Sequence, residues 1–104
     1  MKTRLFMKYD FRCAPNSPVT HQDLYATALE QVQWGEKNGV GTVMVCEHHG
    51  ADDGYCPSPL TALSAMAAVT DRMRLVTSVI ILPFHDPLRL AEDIAVLDII
   101  SQGR

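Results

Sequence analysis

The residues that could do chemistry concentrate in one stretch, residues 42–59, TVMVCEHHGADDGYCPSP. An apolar run, Thr42-Val43-Met44-Val45-Cys46, gives way at once to Glu47-His48-His49-Gly50. A carboxylate beside two imidazoles suits proton transfer, because histidine changes charge near neutral pH. The same types invite a metal, with Asp52 and Asp53 close by and His85-Asp86 further on. Adjacent histidines on an extended chain diverge, however, and no third ligand stands at a typical spacing, so no metal is expected. A plainer alternative for His48 is a histidine satisfied by a backbone carbonyl at a strand end. Cys46 is read as core rather than as a reactive thiol, since buried cysteine is common.

Those residues need elements to hold them. Residues 4–9 (RLFMKY) read as a first strand, with Asp10-Phe11-Arg12 at its C-terminal end. Residues 13–19 carry Pro15, Asn16, Ser17 and Pro18 and form a loop. Thr20 is a good N-cap, and Asp23 falls in the first turn, where it complements the helix dipole. The helix is expected to run to about Asn38, with Leu24, Ala28 and Val32 on its buried stripe and Tyr25 and Leu29 beside it. Glu30, Gln33, Glu36 and Lys37 make its wet face, and Gly39 stops it. Residues 42–46 show no polar alternation and read as a strand buried on both faces, as in a parallel sheet.

After a polar loop over residues 50–57, Ser58 caps a second helix with Pro59 in its first turn. That helix, to about Thr70, is small and apolar nearly all round, so it is expected to be buried on more than one side. Residues 73–82 (MRLVTSVIIL) are rich in β-branched types and read as the third strand, ended by Pro83. Asp86 caps a third helix and Pro87 opens it. Leu90, Ala91, Ile94 and Leu97 form its buried stripe, Arg89 and Asp93 pair one turn apart, and Gly103 is the stop. The order β-α-β-α-β-α, with right-handed crossovers, gives parallel strands in order 1-2-3. That fits three units of an eight-fold barrel or a small doubly wound sheet, with chemistry at the C-terminal strand ends in either case.

Bulk properties narrow the partners. The 104 residues suit one small domain, and 47% hydrophobic with 20% charged residues is ordinary for a globular chain. A net charge of -3 leaves no polyanion footprint, so nucleic acid is not an expected partner. No run approaches the length of a membrane helix, and the N-terminus lacks a signal-peptide core, so no membrane is expected. Cys13, Cys46 and Cys56 are odd in number without a C-x-x-C spacing, which predicts free thiols in a reducing cytoplasm.

Three pieces, EHH after the second strand, LPFHDPLRLAED after the third and LDIISQGR at the end, together resemble the N-terminal part of the bacterial luciferase-like, flavin-dependent monooxygenase family. The resemblance runs from about Arg4 to Arg104. It implies the first three βα units of a TIM (β/α)8 barrel, the barrel being incomplete, as one N-terminal segment over residues 1–104. It implies a flavin- or F420-dependent oxidoreductase acting on a small molecule, with FMN or F420 undecided, and a homodimer in the full-length form. The phosphate grip would come from later strands, so this segment alone is expected to be inactive. A catalytically inactive binding or oligomerisation module is the alternative.

The resemblance also assigns roles. His48 matches a catalytic position near the isoalloxazine ring that handles protons. His49 becomes a supporting group. Glu47 would orient a histidine or bind the pyrimidine side of the cofactor, or equally serve as a structural carboxylate paired with an arginine. Ser78 and Val79 match a cofactor-binding position where a non-prolyl cis peptide bulges behind the ring, and the Ser-Val pair leans towards the F420 branch. The inward strand faces, residues such as Leu75, Thr77, Val79 and Ile81 or their alternates, would lack an opposite wall, so the isolated segment is expected to self-associate.

Overall fold

The computed structural model of the chain describes residues 4–104. Its elements are β1 (Phe6–Tyr9), α1 (His21–Lys37), β2 (Thr42–Val45), α2 (Pro59–Ala68), β3 (Arg74–Thr77), a 3-10 turn (Leu82–Phe84) and α3 (Pro87–Ser101). The strands pair in parallel in the order β1-β2-β3. Tyr9, Val45 and Thr77 lie side by side, so all three strands end at one level.

Local chemistry explains most boundaries. The Thr20 hydroxyl accepts from the Asp23 amide while the Asp23 carboxylate accepts from the Thr20 amide, a reciprocal cap at the start of α1. The helix ends at Asn38, and Gly39 follows at φ +89°, a conformation that suits glycine. Its buried side runs through Ala28, Val32 and Gly35. A Cβ on Gly35 would lie 2.8 Å from the Met7 sulfur, so glycine lets α1 sit close on β1. Glu36 is not simply on the wet face as expected. Its carboxylate accepts from the amides of Asp71, Arg72 and Met73 at 2.7–3.2 Å and pins the turn before β3 to the end of α1.

The second half departs further from expectation. Ser58 stands at the N-cap of α2, but its hydroxyl bonds the Thr61 hydroxyl and no backbone amide. Helix α2 buries Ala62, Leu63, Met66 and Ala67 between the sheet and α3. β3 stops at Thr77 rather than continuing to Leu82. The Ser78 amide still bonds Val45 O, but the next peptide, Ser78–Val79, is cis, and the Ile81 amide is taken by a side chain instead of a strand. Pro83 lies in the 3-10 turn. The cap of α3 is as expected, Asp86 accepting from the Arg89 amide at 2.9 Å. Of the stripe expected on α3, only Leu97 is buried; Leu90 is half-buried and Ala91 and Ile94 are exposed. Within this chain α3 packs chiefly on α2, so its other sides stay open. Arg89 reaches Asp93 at 3.5 Å.

The sheet has one covered face. Val43 and Val45 are fully buried under the helices, and Met7, Tyr9, Leu75 and Thr77 share that face by register. Phe6, Lys8, Thr42, Met44, Arg74 and Val76 form the other face, where Phe6 is 60% exposed. The strand over residues 42–46 is buried at Val43, Val45 and Cys46, while Thr42 and Met44 on the other face are half-buried. Leu75 and Thr77 point to the helices, and their alternates Arg74 and Val76 lie on the open side. Arg104 closes the lower end: its guanidinium donates to Ala67 O, Thr70 Oγ1 and Ser101 O, and its carbonyl accepts from the Leu75 amide.

Glu36→Ala leaves three backbone amides without their acceptor. The expected loss is about 1 kcal/mol, at the low end for a charged acceptor because solvent shares the site. Urea unfolding measures it, and an unchanged midpoint would remove this clamp from the account. These bonds hold the Glu36 carboxyl below its ordinary value of 4.5 despite burial pushing it up. The stabilisation is therefore present above that value and fades as pH falls through the lowered one.

Candidate active site

The strand ends carry the ionisable groups. Past Val45, Cys46 is buried and its amide bonds Tyr9 O. Glu47 turns towards the end of β3, and its side chain has no accessible surface. Its Oε1 accepts from His49 Nε2 at 2.7 Å and from His85 Nε2 at 2.8 Å, and its Oε2 accepts from the Ile81 amide at 2.6 Å. Burial pushes the Glu47 carboxyl up, but the Ile81 amide and the two imidazoles outweigh it and hold the group below its ordinary value of 4.5. Among the described residues the partners of Glu47 are two histidines and an amide, and no arginine pairs with it. Both oxygens are hydrogen-bonded within the chain, and the side chain is fully buried.

His48 points the other way. Its amide donates to Cys56 O at 2.9 Å, and its exposed ring stacks on Tyr55 at 4.6 Å between centroids. Arg12 lies 5.4 Å over the same tyrosine and pairs with Asp53 at 2.6 Å. Asp53 also holds the loop of residues 50–57 in place, its carbonyl accepting from the Cys13 amide and contacting His21 Nε2. Gly54 follows at φ +73°, and a Cβ there would run into the His21 ring. His48, Tyr55, Arg12, Pro15 and Asp52 border a groove of about 360 Å³.

Ser78 and Val79 sit at the end of β3. Ser78 is half-buried, and Val79 is 62% exposed beyond the cis peptide. Glu47 is tied to this turn through Ile81, two residues on. His48 lines the groove on the loop side, whose lining does not include Ser78 or Val79. Hydrogen bonding thus ties Glu47 to the segment that follows Ser78–Val79, and His48 stacks on Tyr55. His49 meets the edge of Phe84, 5.0 Å between centroids. His85 was visible in the sequence only as a metal candidate. Its pairing with Glu47 spans 38 positions, which no local periodicity reveals. No group of three or more His, Cys, Asp or Glu among the described residues is arranged to hold a metal ion. None of the described helices is long and apolar enough to cross a membrane.

The arrangement suits proton handling beside a flat ligand. The His48 imidazole stands exposed at the end of β2, two further imidazoles share the Glu47 carboxylate between β2 and β3, and exposed Val79 offers an apolar face.

The whole chain, residues 1–104, matches the family model described as luciferase-like monooxygenase. It is 33% identical over 85 residues to the flavin-dependent trigonelline monooxygenase, oxygenase component, of Acinetobacter baylyi, covering 82% of this chain and 24% of that protein. It is 28% identical over 89 residues to the alkanal monooxygenase beta chain of Photorhabdus luminescens, covering 86% of this chain and 28% of that one. Its fold superposes on a monooxygenase from Streptomyces bottropensis with a TM-score of 0.88 at 33% identity, over 98% of this chain and 31% of that one. The FMN complex of the oxygenating constituent of 3,6-diketocamphane monooxygenase from Pseudomonas putida shares the fold at a TM-score of 0.86 and 19% identity, over 98% of this chain and 28% of that one. The chain thus spans about a quarter to a third of the length of these relatives and corresponds to the N-terminal part of their TIM barrels.

The lowered carboxyl of Glu47 makes the turn after β3 acid-sensitive. Its hydrogen bonds stabilise the fold above the ordinary carboxylate value of 4.5 and are lost as pH falls through the lowered folded value. The protection factor of the Ile81 amide in hydrogen exchange is expected to hold at neutral pH and collapse on acidification below that value. Protection that persists unchanged into strong acid would show that Glu47 does not hold the turn.

Proposed function

This chain belongs to the luciferase-like monooxygenase family, and from that premise we propose that residues 1–104 form the N-terminal barrel segment of a monooxygenase that uses reduced FMN on a small organic substrate. The observation that carries this reading is the gathering of imidazoles and the Ser78–Val79 turn at the C-terminal strand ends, on a fold matched to a monooxygenase over 98% of the chain. FMN is preferred to F420 because one relative is named as flavin-dependent and one fold neighbour holds FMN.

The residues present fit part of such a cofactor. Exposed Val79 offers an apolar surface to a flat ring, and Ser78 and the adjoining backbone offer polar atoms to its edge. The phosphate finds no match at this end of β1, where the cation Arg12 is already paired with Asp53. Reduced FMN, when bound, supplies the electrons that activate dioxygen. His48 is the proton-handling residue: its backbone is fixed through Cys56 O, its ring is steadied by Tyr55, and its ring nitrogens have no hydrogen-bond partner among the described residues. Glu47 would act through the backbone, by holding Ile81 in the turn that follows Ser78 and Val79.

In this reading a second copy covers the open side of α3, where Leu88, Val96 and Ile99 are exposed, and the full-length protein is a homodimer. Replacing Leu88 and Ile99 together by glutamate is expected to shift the full-length protein from dimer to monomer in sedimentation. A dimer that survives the change places the interface elsewhere.

In the full-length protein, titration is expected to show tighter binding of FMN than of F420. His48→Ala is expected to slow reoxidation of bound reduced FMN by dioxygen by about 10²-fold or more while leaving FMN affinity within a factor of a few. Preference for F420 would overturn the cofactor, and an unchanged rate would overturn the role of His48. FMN binding with no turnover in the wild type would favour a non-catalytic binding module.

A further inference from the structure

Glu47 is fully buried, yet among the described residues no lysine or arginine pairs with it. Two imidazoles and one backbone amide do that work. We infer that Glu47 is a positioning residue that fixes His49 and His85 in the same tautomer, with the proton on Nε2, and thereby presents both Nδ1 atoms as acceptors for a ligand N–H or O–H group.

The inference follows from counting donors and acceptors. An ionised carboxylate has acceptors only. Its Oε1 receives both imidazole Nε2 atoms, at 2.7 and 2.8 Å, so each Nε2 carries a hydrogen. Its Oε2 receives the Ile81 amide at 2.6 Å, and three donors converging on one group hold it ionised. A neutral imidazole has a single N–H, so both Nδ1 atoms are bare. Neither Nδ1 has a protein donor among the described residues. The His49 and His85 side chains are 38% and 27% accessible, so a ligand can reach them.

The chemistry selects the ligand's edge. Two bare lone pairs beside a buried carboxylate repel a phosphate or carboxylate and favour a donor. Taking that donor to be an N–H of a reduced flavin rests on the function proposed above; the tautomers do not. His85 thereby becomes a site residue alongside His49, with Phe84 packed at the edge of the pair.

The test reads the tautomers in the full-length protein without flavin. Ring nitrogens of ¹⁵N-histidine-labelled protein are observed by long-range ¹H–¹⁵N correlation at a pH of about 8, where histidine is normally neutral. Assignments come from His49→Gln and His85→Gln. Both rings are expected in the Nε2–H form. In Glu47→Gln the amide oxygen is expected to keep the Ile81 amide, which places the NH2 donor where Oε1 received both Nε2 atoms, so both rings are expected to switch to Nδ1–H. In His85→Gln the side-chain amide replaces the lost donor, and His49 is expected to stay Nε2–H. An Nδ1–H signature for either ring in the wild type overturns the inference, as does Glu47→Gln with both rings unchanged. Should Glu47→Gln fail to fold, the wild-type spectrum and His85→Gln decide: loss of the Nε2–H form of His49 in that variant would count against Glu47 as the positioning group. Failure of flavin binding leaves these spectra untouched, so the two readings fail separately.

Discussion

A carboxylate taken out of water must recover its lost hydration from the protein, and Glu47 does so with three N–H groups drawn from three places. His49 comes from the residues after β2, Ile81 from the segment after β3, and His85 from the entry to α3. Removing any one leaves a buried charge short of a donor, which costs more than the bond itself contributes. The requirement runs through the upper end of the molecule. It ties the segment after β3 to the residues after β2 through a side chain once the backbone pairing has ended at the Ser78 amide. It also sets where Phe84 and His85 stand, and so where α3 begins.

The lower end is held by the same kind of interaction with a different outcome. Glu36 gathers three amides of the turn before β3, and Arg104 gathers carbonyls and a hydroxyl from the ends of α2 and α3. Both satisfy backbone groups that helix ends and turns leave without partners. Their partners are mostly backbone, which does not titrate, so these clamps are structural. At the upper end two of the three partners are imidazole side chains and only one is a backbone amide. The division matches the general behaviour of βα units, with stability at the N-terminal strand ends and chemistry at the C-terminal ones.

Much of this was legible in the chain. The strand order followed from short connections and the right-handed crossover rule, and Thr20, Asp23, Asp86 and Gly39 marked helix ends because capping is local chemistry. What failed to show was non-local. The β-branched run of residues 73–82 promises one long strand, but the strand ends at Thr77, and the segment beyond it is held by Glu47, more than thirty residues earlier, through the Ile81 amide. Glu36 reads as solvated by its place on the helix, and only the approach of residues 71–73 gives it partners. The α3 stripe misled for another reason: periodicity shows which side of a helix is apolar, not whether this chain supplies the cover. At the site, His48, His49 and Glu47 stand out as a cluster and Asp53 as a nearby carboxylate, whereas the Arg12–Asp53 pair and the stacking of Tyr55 on His48 join separate loops and show only when the chain folds.

The identity of the partners of Glu47 has a consequence that burial alone does not. An arginine would neutralise the carboxylate permanently, since its guanidinium does not deprotonate in proteins. Imidazoles bonded through Nε2 supply hydrogen bonds and keep a second ring nitrogen apart from the carboxylate. The cluster can therefore take up a proton on a histidine without giving up a hydrogen bond, because Nε2 remains a donor whether or not Nδ1 is protonated. A site built this way tolerates a change in proton number at fixed geometry, while a carboxylate–arginine pair would tolerate none. The turn that carries Ser78 and Val79 hangs from the same carboxylate through Ile81. A proton arriving at Nδ1 of His49 or His85 thus alters the local charge without releasing that turn.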